Sequence, residues 1–150
     1  MFRCLIVRLI PFLFLIVFLN PSFAQEKTTE PEYRLIEGIV FSEVGDQVLR
    51  LDAFVPKAEQ LKKLPAVMVI FGGGWARGNR RQLRRYAIEL AKRGFVCFAI
   101  EYRLAPAHKF PAQIEDCRNA VKWIRKNAAQ YRVDPPVSYT HLTLPTIYSV

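Results

Sequence analysis

Two patterns of apolar residues alternate along this chain. From Ala66 to Phe71, and again from Phe95 to Ile100, every position is apolar. Uninterrupted runs of this length suit strands buried on both faces, as in a parallel sheet. Each run is followed by apolar positions at helical spacing: Leu83, Ala87, Leu90 and Ala91 after the first, then Ile114, Cys117, Val121, Ile124 and Ala128 after the second. Such stripes predict amphipathic helices, each laying one face on the sheet. Asn79 is placed to open the first helix, and Gly94 to close it, where a residue tolerant of positive φ is useful. The second helix is expected from about Ala112 to Gln130.

Upstream, Tyr33–Phe41 and Val48–Val55 read as two strands flanking the turn Ser42–Gln47, which contains Gly45; this predicts a hairpin. In the second strand Leu49, Leu51, Ala53 and Val55 alternate with Arg50 and Asp52, which suits a position near the sheet edge with one face buried. Pro56–Pro65 and Leu104–Pro111 read as proline-bounded loops. The order hairpin, strand, helix, strand, helix makes the fold class α/β, an open sheet with crossover helices.

The two ends differ from this body. Arg3 and Arg8, the apolar run Leu9–Leu19 and the small-x-small triplet Ser22-Phe23-Ala24 match a secretory signal peptide over residues 1–24, cut before Gln25. An uncleaved anchor is the rival reading, but the run is short of the ~20 apolar residues that cross a bilayer. Residues 25–32 read as a flexible leader. After Asp134-Pro135 the next element should be another buried strand, yet Val137–Val150 has no continuous apolar run and no Lys, Arg, Asp or Glu, in a chain that is 23% charged. Those fourteen residues resemble a transposon-type sequencing adaptor translated in one reading frame. They are set apart from the fold, which leaves residues 33–136 as the partial domain.

The net charge is +9, and removal of Arg3 and Arg8 with the signal leaves about +7. Much of it lies in Arg77, Arg80, Arg81, Arg84, Arg85, Lys92 and Arg93, read as the solvated face of one helix rather than a steering patch. Tyr86 is the one ring within that run, so it lacks the aromatic platform of a nucleic-acid binder. Cys97 and Cys117 remain after Cys4 leaves; their apolar settings predict buried thiols rather than a bridge. No spacing suits a metal.

Candidate chemistry sits in Phe71-Gly72-Gly73-Gly74-Trp75, directly after the first buried run. Consecutive glycines allow backbone angles closed to other residues. They also let bare N–H groups approach an oxygen on which negative charge develops, as acyl transfer requires. A phosphate loop would need Gly-Lys-Ser/Thr or Gly-x-Gly-x-x-Gly, and neither occurs.

In chain order, Leu51-Asp52-Ala53-Phe54-Val55-Pro56, the glycine motif, Glu101-Tyr102-Arg103-Leu104-Ala105-Pro106, and Phe110-Pro111-Ala112 with Asp116 and Trp123 resemble α/β-hydrolase fold esterases. The likeness is to the branch with an extended His-Gly-Gly-Gly-Trp loop, which includes hormone-sensitive-lipase-like enzymes and bacterial acetylxylan or feruloyl esterases. It covers about residues 33–135. It implies that Gly73 and Gly74 supply oxyanion-hole N–H groups, that Gly72 shapes the loop, and that Trp75 walls the substrate pocket. Phe71 stands where the family usually has His, which braces the loop, and Glu101 where Asp is more usual. Tyr102 and Arg103 are expected to pack beneath a nucleophile turn. His108 is expected at a loop or pocket rim, Asp116 to tie helix to loop, and Trp123 to pack.

The family next requires a Gly-x-Ser-x-Gly turn, then an acid and a histidine, and this chain contains no such turn. Ser138, His141 and Asp134 are not a triad, because nothing presents Ser138 on a strained strand-to-helix turn. The expected function is that of a secreted or periplasmic serine hydrolase acting on small-molecule or polysaccharide-linked carboxylic esters. It needs no cofactor, and the fragment itself, lacking its triad, is expected to be inactive. A peptidase or amidase on the same scaffold and a non-catalytic binding homologue are the alternatives.

Overall fold

A computed structural model describes residues 32–57 and 63–142. The signal segment, nearly all of the leader and the last eight residues lie outside the described residues. Within them, five strands form one sheet in the order β1-β2-β4-β3-β5: β1 Tyr33–Val44, β2 Gln47–Pro56, β3 Leu64–Ile70, β4 Val96–Ile100 and β5 Val133–Leu142. β1, β2 and β4 pair antiparallel in succession, while β3 runs parallel to both β4 and β5. A 3₁₀ turn over Arg80–Leu83 leads into helix α1, Arg84–Lys92; helix α2 spans Ala112–Lys126. The expected hairpin and both strand–helix units are therefore present. Asn79 caps the 3₁₀ turn through its side chain, which accepts from the Arg81 N–H at 3.0 Å. Gly94, at φ +90°, ends the α1 segment.

The alternation of each strand splits the core in two. Phe54, Val67, Val69, Cys97 and Ala99 meet Ala87 and Ala91 on the α1 face. Leu51, Met68, Ile70, Phe98 and Ile100 meet Ala120, Ile124 and Ala128 on the α2 face, with Tyr131 and Val133. Phe98 is the aromatic centre of that second face, edge-on to Tyr131 at 5.4 Å and to Trp123 at 6.5 Å.

Four expectations are corrected. The hairpin turn is tighter than Ser42–Gln47: only Gly45 and Asp46 lie between the strands, with Gly45 at φ +63°. β2 is interior, between β1 and β4, so Leu51–Pro56 is buried on both faces. α2 ends at Lys126, and its inward face is shifted slightly from the expected stripe: Ile124 and Ala128 are buried and Cys117 and Val121 pack against the core, but Ile114 does not. Gln113, Asp116, Ala120 and Ile124 are buried, whereas Ile114 is 36% exposed; polar anchors at the helix start turn it by about one position from its apolar stripe. Finally, the slot beside β3 is filled. The backbone of β5 pairs Ala66 with Ser138 through Ile70 with Leu142, after an interruption in register between Leu64 and Ala66. A bare parallel edge offers hydrogen bonds to any extended chain, and Val137, Tyr139 and Thr140 are strand-forming residue types. The interruption falls at Pro135-Pro136, which have no N–H to donate.

Candidate active site: the glycine loop after β3

The loop begins where β3 delivers Phe71 to the carboxyl end of the sheet. Gly73 has φ +134°, Gly74 +62° and Trp75 +61°. A Cβ on Gly73 would lie 2.0 Å from the carbonyl oxygen of Arg77, and one on Gly78 would lie 2.5 Å from the Phe71 ring and 2.8 Å from the Gly72 oxygen. The loop thus closes on itself, residue 73 against 77 and residues 71–72 against 78, so tightly that only glycine fits. Gly74 is open to solvent. Among the described residues the N–H groups of Gly73 and Gly74 have no acceptor.

Trp75 is bulky for a left-handed backbone, a conformation that persists only where its surroundings over-determine it. Its carbonyl accepts from the Ala105 N–H at 2.9 Å, and its ring stacks on Phe110 at 6.1 Å. A groove of about 490 Å³ opens beneath it, bounded by Met68 and Ile70 of β3 and by Ile114, Cys117 and Val121 of α2. Arg118, Lys122 and Arg125 form the outer rim.

Phe71 shows how the loop is held without the family's histidine. Its ring stacks on Tyr102 at 4.3 Å with 12° between the planes, and the Tyr102 hydroxyl donates to the Phe71 carbonyl at 2.8 Å. Burial, with a lesser contribution from Cys117, pushes the Tyr102 hydroxyl up to about 12, so it stays a donor at neutral pH. Tyr102 therefore lies under the glycine loop.

The next residue anchors the support itself. The Arg103 Nε donates to both oxygens of Asp116, at 3.0 and 2.9 Å, and the Arg103 backbone N–H adds a third bond at 2.9 Å. The Asp116 hydrogen bond, outweighing the cost of burial, raises the Arg103 pKa further. Asp116 is fully buried and does tie helix to loop. Gln113 adds bonds from its amide nitrogen to the carbonyls of Arg103 and His108, at 3.0 and 2.7 Å. His108 borders a second hollow with Phe71, Gly78 and Glu101 rather than the groove beneath Trp75. Ser138 lies inside β5 opposite Ala66, not on a strand-to-helix turn.

Both thiols are free. Cys97 faces α1 and Cys117 packs on the α2 face, so the sheet separates them. Burial raises Cys97 to about 12 and, helped by Asp116, Cys117 to about 11; neither is a ready nucleophile.

The contact missed from sequence joins Asp52, Arg80 and Glu101. Asp52 is only 1% exposed, and Arg80 Nε donates to its Oδ1 at 2.8 Å. The signal was an aspartate flanked by Leu51 and Ala53-Phe54-Val55, hidden by its apparent fit to alternation with Arg50.

Residues 51–138 of the chain, which include the glycine loop, match a known family model, BD-FAE. The chain belongs to the BD-FAE family. This BD-FAE chain is 35% identical over 91 residues to Esterase LipC of Mycobacterium tuberculosis, a match that covers 59% of this chain and 22% of that protein. It is 36% identical over 89 residues to human Arylacetamide deacetylase-like 2, covering 55% and 22%. Among solved structures it superposes on Thermogutta terrifontis esterase 2 phosphoramylated by tabun with a TM-score of 0.64 at 29% identity, covering 73% of this chain and 42% of that one. The structure named Bacterial Heroin Esterase gives 0.61 at 28% identity, covering 72% and 33%. The fold is that of the α/β-hydrolase esterases, and the chain spans between about a fifth and two fifths of these relatives.

Proposed function

We propose that this BD-FAE chain is the oxyanion-hole portion of an exported serine hydrolase that cleaves carboxylic esters. The observation that carries the proposal is the pair of unengaged N–H groups on Gly73 and Gly74, in a closed, braced loop at the carboxyl end of β3. During acyl transfer the carbonyl oxygen gains negative charge as the serine oxygen bonds to carbon. Two fixed N–H donors meet that oxygen without reorganising, and losing one such donor costs roughly 3–4 kcal/mol. Trp75 bounds the pocket for the acyl or alcohol portion. The names of the relatives, esterases in the main, support an ester as the substrate, either small or attached to a polysaccharide.

The serine, acid and histidine belong to sequence that the 150 residues do not contain, and Val137–Val150 is a foreign tail, whose described backbone as far as Leu142 occupies the place of the strand that precedes the serine. Residues 1–24 direct export and are removed before Gln25. Assay of a short-acyl nitrophenyl ester tests the reading. The uninterrupted reading frame from source DNA is expected to hydrolyse it, and the 150-residue chain is not. An inactive complete protein, or turnover by this chain above the buffer rate, would defeat the proposal. An exported product whose mass still includes residues 1–24 would defeat the cleavage, and a product retained in the cytoplasm would defeat the export.

A further inference from the structure

The glycine loop has two legs, and consecutive residues at the end of β4 grip one each. Tyr102 holds the leading leg through Phe71. The trailing leg, Gly78-Asn79-Arg80, meets the leading one at the Gly78–Phe71 contact. Arg80 ends in a pair of carboxylates: its Nε donates to Asp52, and its Nη1 to Glu101 Oε1. Both acids are themselves oriented. Asp52 Oδ1 also accepts from the Gly38 N–H at 2.8 Å, and Glu101 Oε2 from the Arg50 N–H at 3.0 Å. Burial works against the Arg80 charge, but the Asp52 hydrogen bond and the two acids outweigh it and raise its pKa.

We infer that Arg80 and Glu101 are positioning residues for the oxyanion donors: their ion pair sets the trailing leg of the loop and so the direction of the Gly73 and Gly74 N–H groups. The inference rests on the reading of those groups as donors. An arginine fits the task because its planar fork engages two acids at fixed angles, which a lysine cannot do. The geometry also assigns a use to an arginine that otherwise belongs to an exposed basic run. A side chain that only contributed charge to that run would have no reason to reach Asp52 in β2 and Glu101 just past β4. With Ala105 holding Trp75, residues 101–105 support the loop at its leading leg, its tip and its trailing leg.

Glycine-selective ¹⁵N labelling of the full 150-residue chain gives a direct test, because the chain has seven glycines. Gly73, Gly74 and Gly78 report the loop, and Gly38 reports the Asp52 network. Gly45 and Gly94, in a distant turn and at the end of α1, serve as controls. In Glu101→Gln the Gly73 and Gly74 amides are expected to move and their order parameters to fall from about 0.85 to below about 0.6, with Gly45 and Gly94 unchanged. Glu101→Asp, which restores a carboxylate, is expected to return both amides toward their original positions and rigidity. Three results would each overturn the inference: a shifted Gly38 with Gly73 and Gly74 unmoved, a collapse of all seven signals in Glu101→Gln, and no recovery in Glu101→Asp. The readout involves no ester, so its failure is distinguishable from failure of the esterase reading.

Discussion

The two faces of the sheet are packed differently, although each holds a buried ring, Phe54 on one and Phe98 on the other. On the α1 face small residues close the contact: Ala87 and Ala91 lie directly on Val67, Val69, Cys97 and Ala99. On the α2 face aromatic rings fill the space around Phe98, and then the packing stops, leaving the groove between β3 and α2. The closed face seats α1 directly against the sheet from which the glycine loop departs. The open face leaves Ile114 and Phe110 uncovered, Phe110 at 68% exposure, and gives Trp75 a cavity to wall. The unfilled side also carries the brace of the donor loop, because Phe71 and Tyr102 belong to the α2-face core.

Substitutions can break or sharpen that contrast. The largest effect is expected from Phe98→Ala, which empties the centre of the α2 face. Loss of a fully buried ring should lower stability by about 3–5 kcal/mol, read from the urea midpoint; a loss below about 1 kcal/mol would mean that the aromatic cluster is already loose. A matched pair of enlargements comes next. Ala91→Leu on the closed face should cost about 1–3 kcal/mol through overpacking, whereas Val121→Leu, which grows into the groove, should stay within about 0.5 kcal/mol. Equal costs would erase the difference between the faces.

Alkaline titration acts on the closed face through Cys97. Its folded pKa, about 12, is raised from an ordinary value of 9.0, so the neutral thiol favours folding below pH 9. That contribution is lost as the pH rises from 9 toward 12, roughly 1.4 kcal/mol by pH 10. Tyr102 and Cys117 shift in the same direction. Cys97→Ala should flatten the decline in urea midpoint between pH 8 and 10, and an unchanged slope would assign it to other groups. A further loss is expected where core and loop meet. Tyr102→Phe keeps the stack on Phe71 and removes the hydroxyl bond, for a loss of about 1 kcal/mol. Heteronuclear relaxation of Gly73 and Gly74 should show the loop loosened, and an unaltered loop would leave the stack as the anchor of its leading leg.

Much of this was legible without coordinates. Continuous apolar runs mark β3 and β4 because a strand covered on both faces has no room for polar side chains, and the glycines after β3 announce a backbone that other residues cannot follow. Asp116 was readable as a tie, because a carboxylate beside an apolar stripe needs a partner. Asp52 was not, since its alternation with apolar neighbours is the same whether its face meets water or Arg80. The basic run concealed Arg80 for a similar reason: one arginine among many carries no mark of the acids it will reach. Ile114, Cys117 and Val121 have helical spacing in either orientation, and the polar anchors at Gln113 and Asp116 chose which side turned inward.

Local pattern alone therefore dictated the α/β class, the order of elements and the position of the glycine loop, because these depend on periodicity and on backbone freedom, which short stretches encode. Assembly in three dimensions decided the rest. It placed β2 in the interior, seated the backbone of Val133–Leu142 beside β3, stacked Phe71 on Tyr102 and joined Arg80 to Asp52 and Glu101. Each of these is a pairing between residues far apart in the chain, and a one-dimensional pattern carries no record of which distant partner a side chain will meet.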